Sequence, residues 1–201
     1  VQIEEQSGHA PSGYTGRMAT LLFDLYGVLM RSATPAGHAE LEEYVRPVNP
    51  DHFWSTYEEF RPAYDAGHLS DSQYWGRIRA LTDLAPFDVS QAVELDTEHL
   101  LEADEEMVNL VLRFIGEGHS VGILSNVPAA LGAKVRASQP WLEECAAVTL
   151  SCDIGVAKPD PEAYHVAVDA LGAQAKDTYF FDDRLDFVEG AQRVGLHAQL
   201  F

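Results

Sequence analysis

Short runs of apolar residues recur along the chain without alternating with polar residues, and stretches of helical periodicity separate them. A run of this kind is typical of a strand that is buried on both faces. The runs predict five strands, over residues 19–23, 120–124, 147–150, 178–181 and 197–201. The periodicity between the later runs predicts helices over residues 105–117, 129–138, 161–171 and 185–194. Because strands that alternate with helices favour a parallel sheet with right-handed crossovers, the pattern predicts an α/β fold.

One stretch, residues 33–103, contains no buried-strand pattern. Its periodicity predicts four helices separated by proline and glycine, over residues 39–45, 53–64, 70–81 and 90–101. We therefore expect a Rossmann-like α/β core with a parallel sheet of about five strands, formed by residues 18–32 and 104–201. A helical insert, residues 33–103, would follow the first strand.

Residues 1–17 contain Gly, Ser, Pro, Gln and Glu without apolar periodicity, so they predict a flexible leader. They show no apolar region of the kind found in a secretory signal. Met18 directly precedes the first predicted strand and is a candidate start residue. Whether residues 1–17 belong to the natural chain stays open.

Composition narrows the class of protein. Of the 201 residues, 46% are hydrophobic, which is enough for a buried core and too much for a disordered chain. The 13 Lys and Arg residues against 32 Asp and Glu residues give a net charge of −19, which opposes binding to nucleic acid or to an anionic membrane. No apolar run reaches the roughly 20 residues that a transmembrane helix needs. The two cysteines, Cys145 and Cys152, form no disulfide framework, which favours a reducing, cytoplasmic compartment.

Polar side chains follow three of the predicted strands. Asp24 follows the first strand, Ser125 and Asn126 follow the second, and Asp182 and Asp183 follow the fourth. In an open parallel sheet, ligands bind at the carboxyl ends of the strands. A single Asp at a strand end is often only a helix cap, but polar groups at three strand ends favour a shared site.

Lys158 lies in the turn-rich sequence GVAKPDP at residues 155–161. Alone, such a lysine is interpreted as a surface residue of a turn. Beside a cluster of carboxylates, it would offset negative charge and hold an anionic oxygen of a substrate.

Taken in order, these residues resemble the four motifs of the haloacid dehalogenase superfamily of hydrolases, and the resemblance covers nearly all of the chain after the leader. The first motif, an apolar strand followed by Asp-x-Asp-Gly, corresponds to FDLYGVL at residues 23–29. The second corresponds to ILSN at 123–126, the third to Lys158, and the fourth to FDD at 181–183. Each motif alone is weak, but four in order at strand ends form a specific pattern. The helical insert then resembles the small mobile cap of many family members.

The resemblance implies a hydrolase of the phosphatase type that acts on small phosphorylated metabolites, with sugar phosphates among the candidates. Asp24 would attack phosphorus and form an aspartyl-phosphate. Ser125 and Lys158 would hold the phosphoryl oxygens, and Asn126 is a further candidate for substrate binding. The oligomeric state stays open.

The resemblance also implies Mg²⁺ as the cofactor, because the carboxylates around the nucleophile must be offset. Asp24 and Asp182 would bind the ion through their side chains, and Tyr26 would bind it through its backbone carbonyl. Asp183 would contribute through a water molecule or by supporting another ligand.

Tyr26 departs from the family's first motif, because it replaces the second Asp, which serves as general acid and base. A phenol has an ordinary pKa near 10, so it is a poor base for activating water at neutral pH. Because such help is worth about 10²–10⁴-fold, we expect slow turnover of alkyl phosphates and a smaller loss for esters with good leaving groups. Whether Tyr26 takes part in the chemistry or only packs under the cap stays open.

The same tyrosine also resembles the Asp-x-Tyr-Gly motif of the family's 2-haloacid dehalogenases, which need no metal. Their fourth motif, however, resembles Ser-Ser-Asn, whereas this chain has Asp182 and Asp183. Two more carboxylates beside a carboxylate nucleophile are unfavourable unless a cation binds there, so we expect the phosphatase. A dehalogenase and a non-catalytic ligand-binding module remain as alternatives.

The insert is expected to provide substrate specificity, and residues 60–77 are its segment richest in aromatic and basic residues. Arg61 is a candidate contact for substrate oxygens, and Trp75 is a candidate surface for stacking on a sugar. Arg31, just after the first motif, is a further candidate for a phosphate or carboxylate contact. For the residues of the insert, packing in an amphipathic helix is the simpler interpretation.

Overall fold

A computed structural model of the chain describes residues 18–201, so the leader predicted at residues 1–17 lies outside the described residues. Within this range five strands are present, namely β1 (Thr20–Phe23), β2 (Ser120–Ser125), β3 (Ala147–Leu150), β4 (Thr178–Asp182) and β5 (His197–Leu200). They form one parallel sheet in the order β3-β2-β1-β4-β5. The predicted α/β fold with five parallel strands is confirmed, and each strand bound lies within one residue of its predicted position.

The described residues also form nine α-helices. They are α1 (Pro35–Val45), α2 (Pro50–Asp65), α3 (Asp71–Leu81), α4 (Val89–Glu98), α5 (Glu105–Gly116), α6 (Ala129–Ser138), α7 (Ser151–Ile154), α8 (Pro161–Ala170) and α9 (Leu185–Arg193). Eight of them correspond to predicted helices, whereas the four-residue α7 was not predicted. None of the described helices combines the length and the apolar character that crossing a lipid bilayer requires.

The central strand β1 shows why the core has two apolar layers. Successive side chains of a strand point to opposite faces of the sheet, and here Leu21 and Phe23 belong to one buried cluster while Leu22 belongs to another. The first cluster includes Val111 of α5, and the second includes Val188 of α9. Helices therefore cover both faces of the sheet, which leaves the carboxyl ends of the strands as the open edge.

The four helices of the insert begin at residues whose side chains cap free backbone N–H groups. Thr34, Asn49 and Asp88 accept such hydrogen bonds at the starts of α1, α2 and α4. Ser70 does so at the start of α3, where Gln73 reaches back to form a reciprocal capping box. The Thr34 cap and Pro35 explain why α1 begins four residues before its predicted start.

The insert has an apolar cluster of its own, separate from the two clusters of the sheet. Its largest fully buried side chains are Phe53, Tyr64, Tyr74 and Trp75. The ring of Trp75 makes edge contacts with Tyr74 and Phe87. The hypothesis that Trp75 stacks on a sugar is therefore wrong, because its side chain is fully buried among other side chains of the insert.

Candidate active site

A cavity of about 390 Å³ lies where the carboxyl ends of β1 and β2 meet the insert. Ser125, Asn126 and Lys158 line it together with Asp24, Tyr26 and Asp183. The strand-end residues that the sequence singled out are therefore brought together in space. Helix α2 forms the opposite wall, since Arg61 and Asp65 also belong to the lining.

Lys158 carries the central positive charge of this site, and its side chain is fully buried. Its Nζ lies 2.9 Å from Asp24 Oδ1 and 2.5 Å from Asp182 Oδ2. The same ammonium lies over the rings of Phe180 and Phe187, 5.4 and 4.9 Å from their centroids. A buried ammonium is strongly unfavourable without such partners, so the carboxylates and the lysine depend on one another.

Three carboxylates surround this one ammonium. The oxygens of Asp24, Asp182 and Asp183 lie within 4.8 Å of one another, which leaves a formal charge of −2 when all four groups are ionised. Burial raises the pKa of Asp182 to about 6, although Lys158 lowers it, and Asp24 adds to the rise. Burial and then Asp24 also raise the pKa of Asp183. The site therefore carries more negative charge than its own lysine offsets.

Three buried polar atoms of the lining lack a hydrogen-bond partner among residues 18–201. Asp24 Oδ1, Tyr26 Oη and Ser125 Oγ form no hydrogen bond there, and the contact of Asp24 Oδ1 with Lys158 is an ion pair without hydrogen-bond geometry. Leaving such atoms unsatisfied is costly and rare in folded proteins. A cluster of hard oxygen donors with residual negative charge fits Mg²⁺, and the Ser125 hydroxyl is free to bind an anionic oxygen.

Gly27 permits the close approach of Asp183 to the first motif. Its φ of +79° lies in the left-handed region, where side chains other than glycine are strained. A Cβ atom at this position would lie 2.1 Å from Asp183 Oδ2. Only glycine therefore allows both this turn and this carboxylate in the same place.

Asn126 positions the loop that carries Lys158. Its Nδ2 donates a hydrogen bond of 2.8 Å to the Lys158 carbonyl, and its Oδ1 accepts one of 2.8 Å from the Lys158 N–H. These two bonds occupy the amide that the sequence analysis assigned to the substrate. We therefore interpret Asn126 as a positioning residue rather than a substrate ligand.

Tyr26 lies between the nucleophile and the insert, and its hydroxyl is buried. Burial raises the pKa of this hydroxyl above its ordinary value, and the Asp24 carboxylate raises it further. At neutral pH the group is a neutral phenol, which has no basic oxygen comparable to a carboxylate.

Arg61 lies in the lining, as expected, but it has acidic partners of its own. Its Nε donates to Asp65 Oδ1 at 2.9 Å, and its Nη1 lies 3.1 Å from Asp96 Oδ2 and close to Tyr57 Oη. Neither acid was predicted from the sequence as a partner of Arg61. The spacing of four residues between Arg61 and Asp65 on one helix was an available signal, whereas nothing in the sequence connects Arg61 with Asp96 on α4.

Arg31 is not brought to this cavity. Its side chain is 63% exposed and lies 3.2 Å from Glu102, and it lines a different surface depression. The hypothesis of a phosphate or carboxylate contact is therefore not supported by its position. The residue directly after it, Ser32, does line the cavity.

Comparison with known proteins assigns the chain to a family. A family model described as haloacid dehalogenase-like hydrolase matches residues 18–195. Phosphatase MT3486 of Mycobacterium tuberculosis is 40% identical over 84 residues, which are 41% of this chain and 39% of that protein. The alignment thus spans less than half of that relative. Sesquiterpene phosphatase astK of Aspergillus oryzae is 24% identical over 176 residues, 87% of this chain and 85% of that protein.

The solved structures support the fold. HAD family enzyme bt-2542 from Bacteroides thetaiotaomicron superposes with a TM-score of 0.78 at 20% identity, over 91% of this chain and 93% of that one. The same enzyme in complex with magnesium and inorganic phosphate gives a TM-score of 0.73 at 21% identity, over 92% and 94% of the two chains. At this identity the likeness is one of fold.

Proposed function

The chain belongs to the haloacid dehalogenase-like hydrolases, and we propose that it is a Mg²⁺-dependent phosphatase of small phosphate monoesters with Asp24 as its nucleophile. The observation that carries this proposal is the cluster of Asp24, Asp182 and Asp183 around the buried Lys158 at the strand ends. The names of the two relatives support the reaction type. The complex of bt-2542 with magnesium and phosphate supports the cofactor.

The residues that would hold Mg²⁺ are Asp24, Asp182 and Asp183, together with the backbone carbonyl of Tyr26. When bound, the ion offsets the negative charge that the carboxylates and the phosphoryl oxygens bring together. Because three carboxylates and one ammonium leave a charge of −2, a divalent cation suits the site better than a monovalent one. An oxygen-only donor set favours a hard ion such as Mg²⁺ over zinc or copper.

The protein's own groups account for the remaining steps. The Asp24 carboxylate attacks phosphorus, so that a new O–P bond forms on Asp24 while the ester O–P bond breaks, and the leaving alkoxide takes a proton from water and departs as the alcohol. Ser125 Oγ donates to a phosphoryl oxygen, and Lys158 Nζ balances the developing charge. Water then attacks the aspartyl-phosphate, which releases inorganic phosphate and restores the Asp24 carboxylate.

The helical insert, residues 33–103, is proposed to act as a cap over the core of residues 18–32 and 104–201. Its helix α2 brings Arg61 and Asp65 to the cavity that contains Asp24. The alcohol portion of the substrate would then lie against the insert, with sugar phosphates among the candidates.

Both cysteines are free thiols, which supports the expected reducing, cytoplasmic compartment.

The dehalogenase alternative is less consistent with this site. A metal-free displacement at Asp24 would leave Asp182 and Asp183 beside a carboxylate nucleophile with only Lys158 to offset them. A 2-haloacid also brings a carboxylate of its own, and Arg61 already has two acidic partners. We therefore keep the phosphatase as the proposal.

The test is the hydrolysis of p-nitrophenyl phosphate and of a sugar-phosphate panel, first with Mg²⁺ and then with EDTA. We expect release that requires Mg²⁺ and that falls by at least about 10³-fold in Asp24→Asn. Asp169→Asn, an exposed acid on α8, is the matched control and should leave activity unchanged. Halide release from 2-haloacids that resists EDTA would establish the dehalogenase instead. Absence of all turnover would favour a non-catalytic binding module.

A further inference from the structure

A second cavity, of about 280 Å³, adjoins the candidate active site. Tyr26, Glu58 and Arg61 line both cavities, so the two meet at these residues. Beyond this junction, the second cavity is lined by apolar side chains of the insert, namely Leu41, Tyr57, Leu95 and Leu100. A phosphate ester held at Asp24 would extend its alcohol portion toward this space.

Arg61 is one of two arginines that line both cavities, and its charge is already paired. Asp65 and Asp96 both contact its guanidinium, so two carboxylates accompany one positive charge. The Arg61 side chain is 17% exposed and that of Asp96 is 4% exposed. Turning Arg61 toward a second anion of the substrate would leave two largely buried acids without a cationic partner, which is unfavourable.

The other lysine and arginine in the described lining of the two cavities are paired as well. Arg184 donates two hydrogen bonds to Asp186, at 3.1 and 2.8 Å. Lys158 lies between the carboxylates of Asp24 and Asp182. Lys158 is therefore not free to hold a second anionic group in the alcohol portion. Arg184 would have to leave an ion pair whose side chains are 58% and 52% exposed.

The two histidines of the second cavity have neighbours of their own. His99 Nε2 lies 3.1 Å from the Glu40 carboxylate. The ring of His38 packs against Trp54, with 4.5 Å between the ring centroids.

Glu58 adds an exposed acid at the junction. Its side chain lines both cavities, and its negative charge also acts on Arg184. A carboxylate next to a partly enclosed cavity repels a second anion, because the protein around it screens charge less well than water does.

We propose that this site selects phosphate monoesters whose alcohol portion carries no negative charge, and that it discriminates against phosphorylated carboxylic acids and bisphosphates. The inference rests on the proposed phosphatase function and adds the class of substrate. One dianionic phosphoryl group is accepted beside Asp24, Ser125 and Lys158. The remainder of the substrate meets apolar side chains, an acid-paired arginine and an exposed acid.

The experiment compares esters that differ in one carboxylate, at saturating Mg²⁺. Butyl phosphate is paired with 3-carboxypropyl phosphate, and glycerol 1-phosphate is paired with 3-phosphoglycerate. Within each pair we expect kcat/KM to be about tenfold or more higher for the uncharged member, since like charges placed together oppose binding. Inhibition by butylphosphonate should likewise be about tenfold stronger than inhibition by 3-carboxypropylphosphonate, which checks binding without turnover.

Two variants assign the discrimination to the junction. Asp96→Asn leaves Arg61 with one acid, and Glu58→Gln removes the exposed acid, so each should reduce the ratio within a pair by about threefold or more. Because Glu58 is exposed, Glu58→Gln should fold as the parent does. Glu98→Gln, an exposed acid on the same helix as Asp96, is the control and should leave the ratio unchanged.

The outcomes separate the two proposals. Equal or better turnover of the carboxylate esters would overturn the inference and leave the phosphatase standing. A preference that persists unchanged in both variants would also overturn it, because the junction would then not be the cause. Hydrolysis of none of these esters, of p-nitrophenyl phosphate or of the sugar-phosphate panel would overturn the phosphatase and the inference together.

Discussion

At the scale of single residues, Tyr26 presents a buried hydroxyl without a partner, at the position where the resemblance implies a carboxylic acid. Because burial raises the pKa of this phenol, it stays protonated and cannot activate water at neutral pH. We expect Tyr26→Asp to raise kcat for butyl phosphate by about tenfold or more, and to raise it less for p-nitrophenyl phosphate. The measurement is steady-state hydrolysis of both esters at saturating Mg²⁺.

Tyr26→Phe is the control for this prediction, since it removes only the hydroxyl. It should leave kcat within about twofold of the parent. A large loss in Tyr26→Phe would mean that the phenol itself takes part in the reaction. No gain in Tyr26→Asp would contradict the expectation that a carboxylate at this position acts as the general acid and base.

Asp65 gives a pH prediction of its own. Burial raises the pKa of this carboxyl to about 6, although Arg61 lowers it. An unfolded Asp titrates near 3.9, so between the two values the unfolded chain has already lost a proton that the folded chain keeps. The contribution of Asp65 to stability is therefore present at low pH and is lost as the pH rises through about 6.

The measurement is the free energy of unfolding in urea at pH 4.5 and pH 7. Relative to the parent, Asp65→Asn should reduce the fall in stability between these pH values by about 1–2 kcal/mol. Glu59→Gln, an exposed acid on the same helix, should leave it unchanged. Parallel pH profiles for parent and Asp65→Asn would refute the assignment.

Residue roles could be predicted from the sequence where the backbone alone determines position. Asp24 and Asp182 follow strands, and parallel strands bring their ends to one edge, so their meeting was predictable. The Arg61–Asp96 pair was not predictable, because it depends on how α2 and α4 pack. The role of Asn126 was not predictable either, because its amide forms hydrogen bonds with the backbone of Lys158 on another loop.

At the scale of secondary-structure elements, buried runs and helical periodicity were enough to locate every strand and the long helices. The short helix α7 (Ser151–Ile154) was missed because four residues are too few to show a period. Helix α4 ends at Glu98 rather than at residue 101. The apolar Leu100 and Leu101 extend the pattern past the helix, and both pack against the core of the sheet instead.

Helix α7 links the insert to the core, and this gives a stability prediction. Ser151 Oγ donates to the Asp65 carbonyl at the end of α2, at 2.6 Å, and accepts from the Val127 N–H at 2.9 Å. The side chain is fully buried. Ser151→Ala should therefore lower the free energy of unfolding by about 1–3 kcal/mol, since it leaves two buried backbone groups without a partner.

Urea unfolding of Ser151→Ala against Ser55→Ala checks this. Ser55 also donates to a backbone carbonyl, that of His52, but it is exposed on α2. Its loss should cost only a few tenths of a kcal/mol. Equal effects of the two variants would show that the bridge between α2 and α7 does not stabilise the fold.

At the scale of the whole molecule, the net charge of −19 acts on every part of the fold. Paired groups such as Lys158 with Asp24 and Asp182 are buried and are little affected by dissolved salt. The excess acids instead repel one another across the surface, and this repulsion destabilises the compact state. Screening should therefore relieve the repulsion while leaving the buried pairs intact.

We expect NaCl to stabilise the protein for this reason. Raising NaCl from 0.01 to 0.3 M at pH 8 shortens the Debye length from about 30 Å to below 8 Å, and the free energy of unfolding should rise by on the order of 1 kcal/mol. The gain should be smaller at pH 5.5, because a more acidic solution lowers the net negative charge of the chain. Urea unfolding at both pH values and both salt concentrations measures the difference, with KCl in place of NaCl to separate screening from specific ion binding. If salt lowered the stability at pH 8, the loss of attraction within surface ion pairs would exceed the relief of repulsion. The excess of acidic residues would then not destabilise this fold.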